Sequence, residues 1–196
     1  MARRDAGCRW DLSGGNTMTT AIEIDSSAAH VMQQMVYGVY IVGSHDRAGE
    51  VNGMMADWVM QVSFNPRMLA VSFENDAHTL ANVRDTGSFT VNLLPQDEAG
   101  RALAARFVQP YDGAKVAGRS DEEKGHTHHK LDGVAYRLSD LGSPTLDGAI
   151  SWVECKADTF VALGDHTLVA GRVVGGEFRR ESDALSSSYA GWTYCG

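Results

Sequence analysis

Proline is scarce in this 196-residue chain, with four residues, and cysteine scarcer still, with three: Cys8, Cys155 and Cys195. An odd cysteine count with no CxxC pair excludes a disulfide framework and a thiolate zinc site, and it points to a reducing compartment. No apolar run approaches the roughly 18 residues that a membrane-spanning helix needs. Positive charge is also in deficit. Seventeen basic residues against 25 acidic ones leave a formal charge of −8, and so acidic a surface repels phosphate backbones. Nucleic-acid binding is therefore set aside as the main task. Neither the GxGxxG fingerprint nor a P-loop occurs, so a nucleotide cannot be held in either of those ways. The basic N-terminus lacks the apolar stretch of a secretory signal. Residues 1–20 are expected to be a flexible extension, with Met18 an alternative start, and the protein is expected to be cytoplasmic.

What is present is an ordinary globular share of apolar residues, 43%, and 21 glycines. The length suits one domain, expected over residues 21–180, with a loosely held Ser- and Gly-rich tail over 181–196. Along the chain the period changes repeatedly. Residues 28–35 read as a short helix with Val31, Met32 and Met35 on one face. Tyr37–Gly43, Val51–Met55, Trp58–Phe64 and Met68–Phe73 read as strands separated by turn residues, the last apolar enough to be buried on both faces. His78–Asp85 has helical spacing and a stop at Thr86-Gly87, and Asp97–Phe107 is a second helix. Ser88–Leu94, Ala149–Val161 and His166–Phe178 are further strands, and Tyr111–Lys130 is a polar loop. Strands dominate without a βαβ rhythm. The expectation is a mainly β fold, a Greek-key β-barrel with short helical crossovers.

Several blocks carry a resemblance. Gly38-Val39 with Val42, Asn52-Gly53-Met54-Met55-Ala56-Asp57-Trp58, Val62-Ser63-Phe64-Asn65-Pro66, Gly87-Ser88-Phe89-Thr90-Val91-Asn92-Leu93-Leu94 and Gly164-Asp165-His166-Thr167 stand in the order and spacing of the flavin reductase-like domains. The chain resembles that family from about Met35 to Phe178. The resemblance implies a homodimeric split β-barrel with a flavin, FMN ahead of FAD, in a groove at the dimer interface. It implies hydride transfer from NADH or NADPH to the flavin. Onward delivery would go to free flavin, an oxygenase partner or a metal centre. The chain departs from the commoner pattern at Met55, Asp57 and Trp58, where many relatives carry small hydroxyl residues, and in the acidic Glu74–Thr79 segment.

The resemblance places the flavin contacts on Met55, Ala56, Asp57, Trp58, Gln61, Val62 and Ser63, a stretch whose main-chain amides suit the pyrimidine edge of the ring. For Trp58 and Val62 the competing reading is core packing. The flavin phosphate is expected at the start of the helix near Ala77, His78 and Thr79, close to Asn75 and with Arg84 as the cation. The competing reading is that Asn75-Asp76 merely caps that helix and Arg84 is solvated. His166 is the residue given to the catalytic step, as the group that positions the nicotinamide nucleotide rather than as an acid or base. Otherwise Asp165-His166 is only a turn pair. His126-Thr127-His128-His129 could ligate a metal, but a polar loop is the favoured reading and no metal site is expected. Cys155 reads as an inert core thiol. The rivals to a reductase are a non-catalytic flavin- or haem-binding split-barrel module, and a barrel of the pyridoxamine phosphate oxidase or deazaflavin type.

Overall fold

A computed structural model describes residues 30–108 and 129–192 of the chain. The strands are β1 (Tyr40–His45), β2 (Val51–Ala56), β3 (Val59–Phe64), β4 (Arg67–Glu74), β5 (Ser88–Leu93), β6 (Tyr136–Leu138), β7 (Pro144–Leu146), β8 (Ser151–Leu163) and β9 (His166–Phe178). The helices are α1 (His78–Thr86), α2 (Glu98–Ala105) and the single turn α3 (Ser187–Ala190). Seven strands form one antiparallel sheet in the order β2-β1-β5-β8-β9-β4-β3, and β6 pairs with β7.

The order of that sheet dictates its shape. Flat, seven strands about 4.8 Å apart would hold the outer two about 29 Å from each other. Those outer strands, β2 and β3, are joined by Asp57 and Trp58 alone, a connection that spans only about 10 Å. The sheet therefore curls until its edges converge at Asp57-Trp58.

Curling gives the sheet two apolar faces. On β1, alternation sends Val42 to one and Ile41 to the other. Val42, Val71, Phe73, Phe89, Val91, Cys155 and Val169 form the first cluster, against which α1 lays Leu80 and Val83. Val39, Ile41, Leu94, Ala104, Phe107, Leu146 and Leu185 form the second. Each fully buried Phe contributes roughly 1.5–3 kcal/mol by leaving water. Burial pushes the Cys155 thiol up to about 12, which makes it the inert thiol expected.

Local signals explain the element ends. α1 stops where Gly87 takes a left-handed φ of 72° and donates its amide to Val83, a conformation that favours glycine. The Asp97 side chain caps α2 by accepting from the Gly100 amide. The Asn52-Gly53 pair that opens the second block of the resemblance is structural. A side chain at Gly53 would stand 2.4 Å from the Phe107 ring, so only glycine lets that ring close the second cluster.

One expectation is corrected. Residues 181–192 are held rather than loose. Leu185 is fully buried, its amide donates to Leu94, and the Ser187 amide donates to Tyr37. One apolar side chain with paired backbone was enough to dock a Ser-rich segment. Of the short helix expected over 28–35, residues 30–32 are helical, and Val31, Met32 and Met35 are exposed. The short strands β6 and β7 lay unread, being three residues long and broken by Ser, Asp, Gly and Pro. No helix among the described residues is long and apolar enough to cross a membrane.

Candidate functional site

The point where the sheet closes is also where titratable groups gather. Asp57 and Trp58 link the two sheet edges, and the Trp58 carbonyl accepts from the Ser72 amide of β4. On the far side of β4, the β8–β9 hairpin turns at Gly164, whose φ of 60° suits glycine. That turn delivers Asp165 and His166. The Trp58 and His166 rings lie 4.9 Å apart, tilted by 40°. His166 is buried, and its Nδ1 lies 2.7 Å from Asp165 Oδ1. The hydrogen bond to His166 holds the Asp165 carboxyl below the usual carboxylate range. Half-burial pushes the Asp57 carboxyl up, against the pull of the Asp57 and Trp58 amides and of nearby His166. Two dipeptides from distant parts of the chain, Asp57-Trp58 and Asp165-His166, thus face each other.

A second constellation sits at the same end of β9. Thr167 follows His166 on the strand, so it points to the opposite face. Its hydroxyl donates to Asn75 Oδ1 at 2.7 Å and accepts from Arg84 Nη2 at 3.2 Å. Asn75 Nδ2 donates to the Gly164 carbonyl. The Arg84 guanidinium also lies over the Phe160 ring, 5.1 Å from its centre. Among the described residues no carboxylate pairs with Arg84, so an exposed side chain is held in place with its charge uncompensated.

Of the residues expected to take a phosphate, the structure brings Asn75 and Arg84 together and moves two others away. Thr79 is buried, and its hydroxyl oxygen accepts from Asn52 Nδ2 at 2.9 Å, so it fastens α1 to β2 instead of facing a ligand. The Ala77 amide already donates to the Glu74 carbonyl. Burial lowers the His78 imidazole, Asp46 and Glu50 oppose that, and Lys130 adds to it, which leaves Arg84 as the better cation. Nor does Asn75-Asp76 cap the helix, whose N-cap is Ala77 with no side-chain bond. Thr167 and Phe160 were not singled out in the sequence. The signal for Thr167 was available, since it completes the Gly-Asp-His-Thr block, whereas Phe160 is one apolar residue among many on a long strand.

The flavin stretch is split by burial. Met55 packs on the second cluster and Ala56 on the first, so these two offer only main chain to a ligand. Gln61 and Val62 are exposed and Ser63 is half-buried. Among the described residues β3 ends the sheet and pairs only with β4. A register shift between Gln61 and Ser63 leaves Val62 outside the ladder, a bulge of the kind that re-aims groups beside a site. An open strand edge next to an aromatic wall, with an uncompensated guanidinium at the same end of the sheet, fits the chemistry of a flavin. The edge supplies main-chain donors and acceptors for a pyrimidine rim, and the cation suits a phosphate.

His126, Thr127 and His128 lie outside the described residues. His129 is within them and stands 3.5 Å from Glu50. Among the described residues no group of three or more His, Cys, Asp or Glu side chains could hold a metal ion.

Comparison with known proteins bears on the same stretch of chain. The family model of the flavin reductase like domain matches residues 32–195. A flavin reductase from Pseudomonas putida is 30% identical over 155 residues, covering 79% of this chain and 81% of that protein. A ferric-chelate reductase (NAD(P)H) from Archaeoglobus fulgidus is 29% identical over 153 residues, covering 76% of this chain and 80% of that one. Among solved structures, a flavin reductase in its native state is 26% identical with a TM-score of 0.63, and the match covers 83% of this chain and 92% of that one.

Proposed function

This chain belongs to the flavin reductase-like domain family, and from that membership we propose an NAD(P)H-dependent flavin reductase that uses FMN ahead of FAD. The observation that carries the reading is the open edge of β3, which starts next to the Trp58–His166 ring pair and bulges further along at Val62. The chemistry a bound flavin supplies is acceptance of a hydride from NAD(P)H, with electrons passed on to free flavin, an oxygenase partner or a metal centre.

The residues divide the work. Main-chain groups from Met55 to Ser63 meet the ring rim, and their positions are fixed by the strand, so binding costs little reorganisation. Arg84, held by Thr167 and Phe160, takes the phosphate, with Asn75 holding Thr167 in turn. His166 and Trp58 form the wall that aligns the nicotinamide. Hydride transfer between stacked rings asks for alignment and exclusion of water more than for a proton donor.

A homodimeric Greek-key split barrel in the cytoplasm completes the proposal. Met60, Val62 and Phe64 on β3 are exposed, as are Phe160, Val161 and Leu163 near the β8–β9 turn. Apolar side chains left exposed on the edge strand and near that turn suit a second copy that would roof the groove.

The test is anaerobic mixing of the purified protein, FMN and NADH. Loss of the flavin's visible absorbance is the expected result. A flavin that binds but keeps its colour would overturn the reductase reading in favour of a non-catalytic module. Retention of FMN through gel filtration distinguishes a resident group from a flavin used as substrate.

A further inference from the structure

Asn75 spends both ends of its side-chain amide on the turn that carries His166. It sits just past β4, in the turn that leads into α1, where the Ala77 amide donates back to the Glu74 carbonyl. The main-chain amide of Asn75 donates to the Asp165 carbonyl at 2.9 Å. That bond adds a rung to the β4–β9 ladder, and any residue with an N–H could make it. The side chain does what is particular to asparagine. Its Nδ2 donates to the Gly164 carbonyl at 3.0 Å, and its Oδ1 accepts from the Thr167 hydroxyl at 2.7 Å. Asp165 and Thr167 are the two neighbours of His166, so one residue grips the chain on both sides of the imidazole. Thr167 is buried, and a hydroxyl has a single proton to give. Given to Asn75, that proton leaves the lone pairs of the same oxygen for Arg84, whose Nη2 donates to it at 3.2 Å.

We propose that Asn75 is a positioning residue that couples the two halves of the site. It fixes the turn that bears His166 and, through the Thr167 hydroxyl, aims the Arg84 guanidinium, and it is not itself a ligand of the flavin phosphate. Each end of its amide already has a protein partner. The three side chains come from three elements, Asn75 from the β4–α1 turn, Thr167 from β9 and Arg84 from α1. No single element fixes their arrangement, so the amide that joins them sets it. The effect on FMN rests on the reading of Arg84 as the phosphate cation, whereas the contacts stand without it.

Asn75→Ala is expected to weaken FMN about threefold and to raise KM for the nicotinamide nucleotide about threefold with kcat little changed, the size of one modest hydrogen bond in each case. Because Asn75 acts on FMN through Arg84, the FMN loss should disappear in an Arg84→Ala background. Thr167→Val should also weaken FMN, and Thr167→Ser, which keeps the hydroxyl, should not. In parallel, the nitrogen–proton correlations of the Arg84 side chain and of the His166 ring should both move in Asn75→Ala and not in the surface control Glu98→Gln on α2. Asn75→Ser serves if the Ala variant does not fold. Where Arg84→Ala weakens FMN, an Asn75→Ala loss that persists in that background would overturn the proposal, because Asn75 would then be a ligand. So would equal FMN affinities for the two Thr167 variants, and so would unmoved Arg84 or His166 correlations. An Arg84→Ala variant that binds FMN normally would sink the phosphate reading alone, and a wild type that reduces no flavin the reductase reading alone. In both cases the correlations still decide whether Asn75 positions these two groups.

Discussion

The two faces of helix α1 carry polar residues to opposite ends. On one face Thr79 accepts from Asn52, and Asn82 donates to Ser44 at 3.2 Å, all four residues buried. On another, Arg84 stays exposed, steered by Thr167 and Phe160. The first set uses its hydrogen-bonding capacity inside the protein and holds the helix to β1 and β2. The second is oriented but keeps a full charge, with no ion-pair partner among the described residues. What separates a structural polar residue from a ligand-binding one here is whether its capacity is already spent, not the residue type.

The largest expected effect tests the buried face. Thr79→Val keeps the volume but strands the Asn52 amide, at a cost of roughly 2 kcal/mol. Urea unfolding should show that loss while the FMN Kd of the folded variant is unchanged, and a weakened Kd would break the distinction. Next comes the exposed face. Arg84→Ala should weaken FMN about tenfold, or about 1.4 kcal/mol, by fluorescence titration, with little change in the urea midpoint. If FMN affinity holds, the cation is not part of a phosphate site.

Lys130, whose charge acts on His78 at the start of the same helix, gives a pH-dependent test. Burial brings its ammonium down to about 8 from 10.5. The unfolded chain therefore binds that proton more tightly. The full penalty for burying the charge applies below pH 8, and stability rises with pH from there to 10.5. Lys130→Met should gain roughly 1 kcal/mol at pH 7, after allowance for the part of the side chain left in water. That gain should vanish above the upper end of the window, and a pH-independent gain would point to packing instead. The smallest effect belongs to the exposed Arg47–Asp85 pair at the end of α1. Arg47→Ala should cost less than about 0.5 kcal/mol and respond to salt.

Much of this was readable beforehand. α1 and its glycine stop, the long β8–β9 hairpin and the strand at Met68–Phe73 follow from periodicity and turn chemistry. Thr79 and Arg84 could not be told apart, because both stand in one helical segment and each is a plausible phosphate ligand. The difference lies in Asn52 and Thr167, which are 27 and 83 residues away. Leu185 looked like part of a loose tail for the same reason, since its anchor is the distant carbonyl of Leu94.

By itself the sequence determined the strand-rich composition, the element boundaries set by glycine and apolar period, and the ordered blocks of the flavin reductase-like family. These are local properties, written in neighbouring residues. Only the tertiary structure decided that Asp57-Trp58 would close the sheet against Asp165-His166, and which polar groups would be used up inside. Closure of a curled sheet pairs residues a hundred positions apart, and no local pattern encodes which hydrogen-bonding groups will meet there.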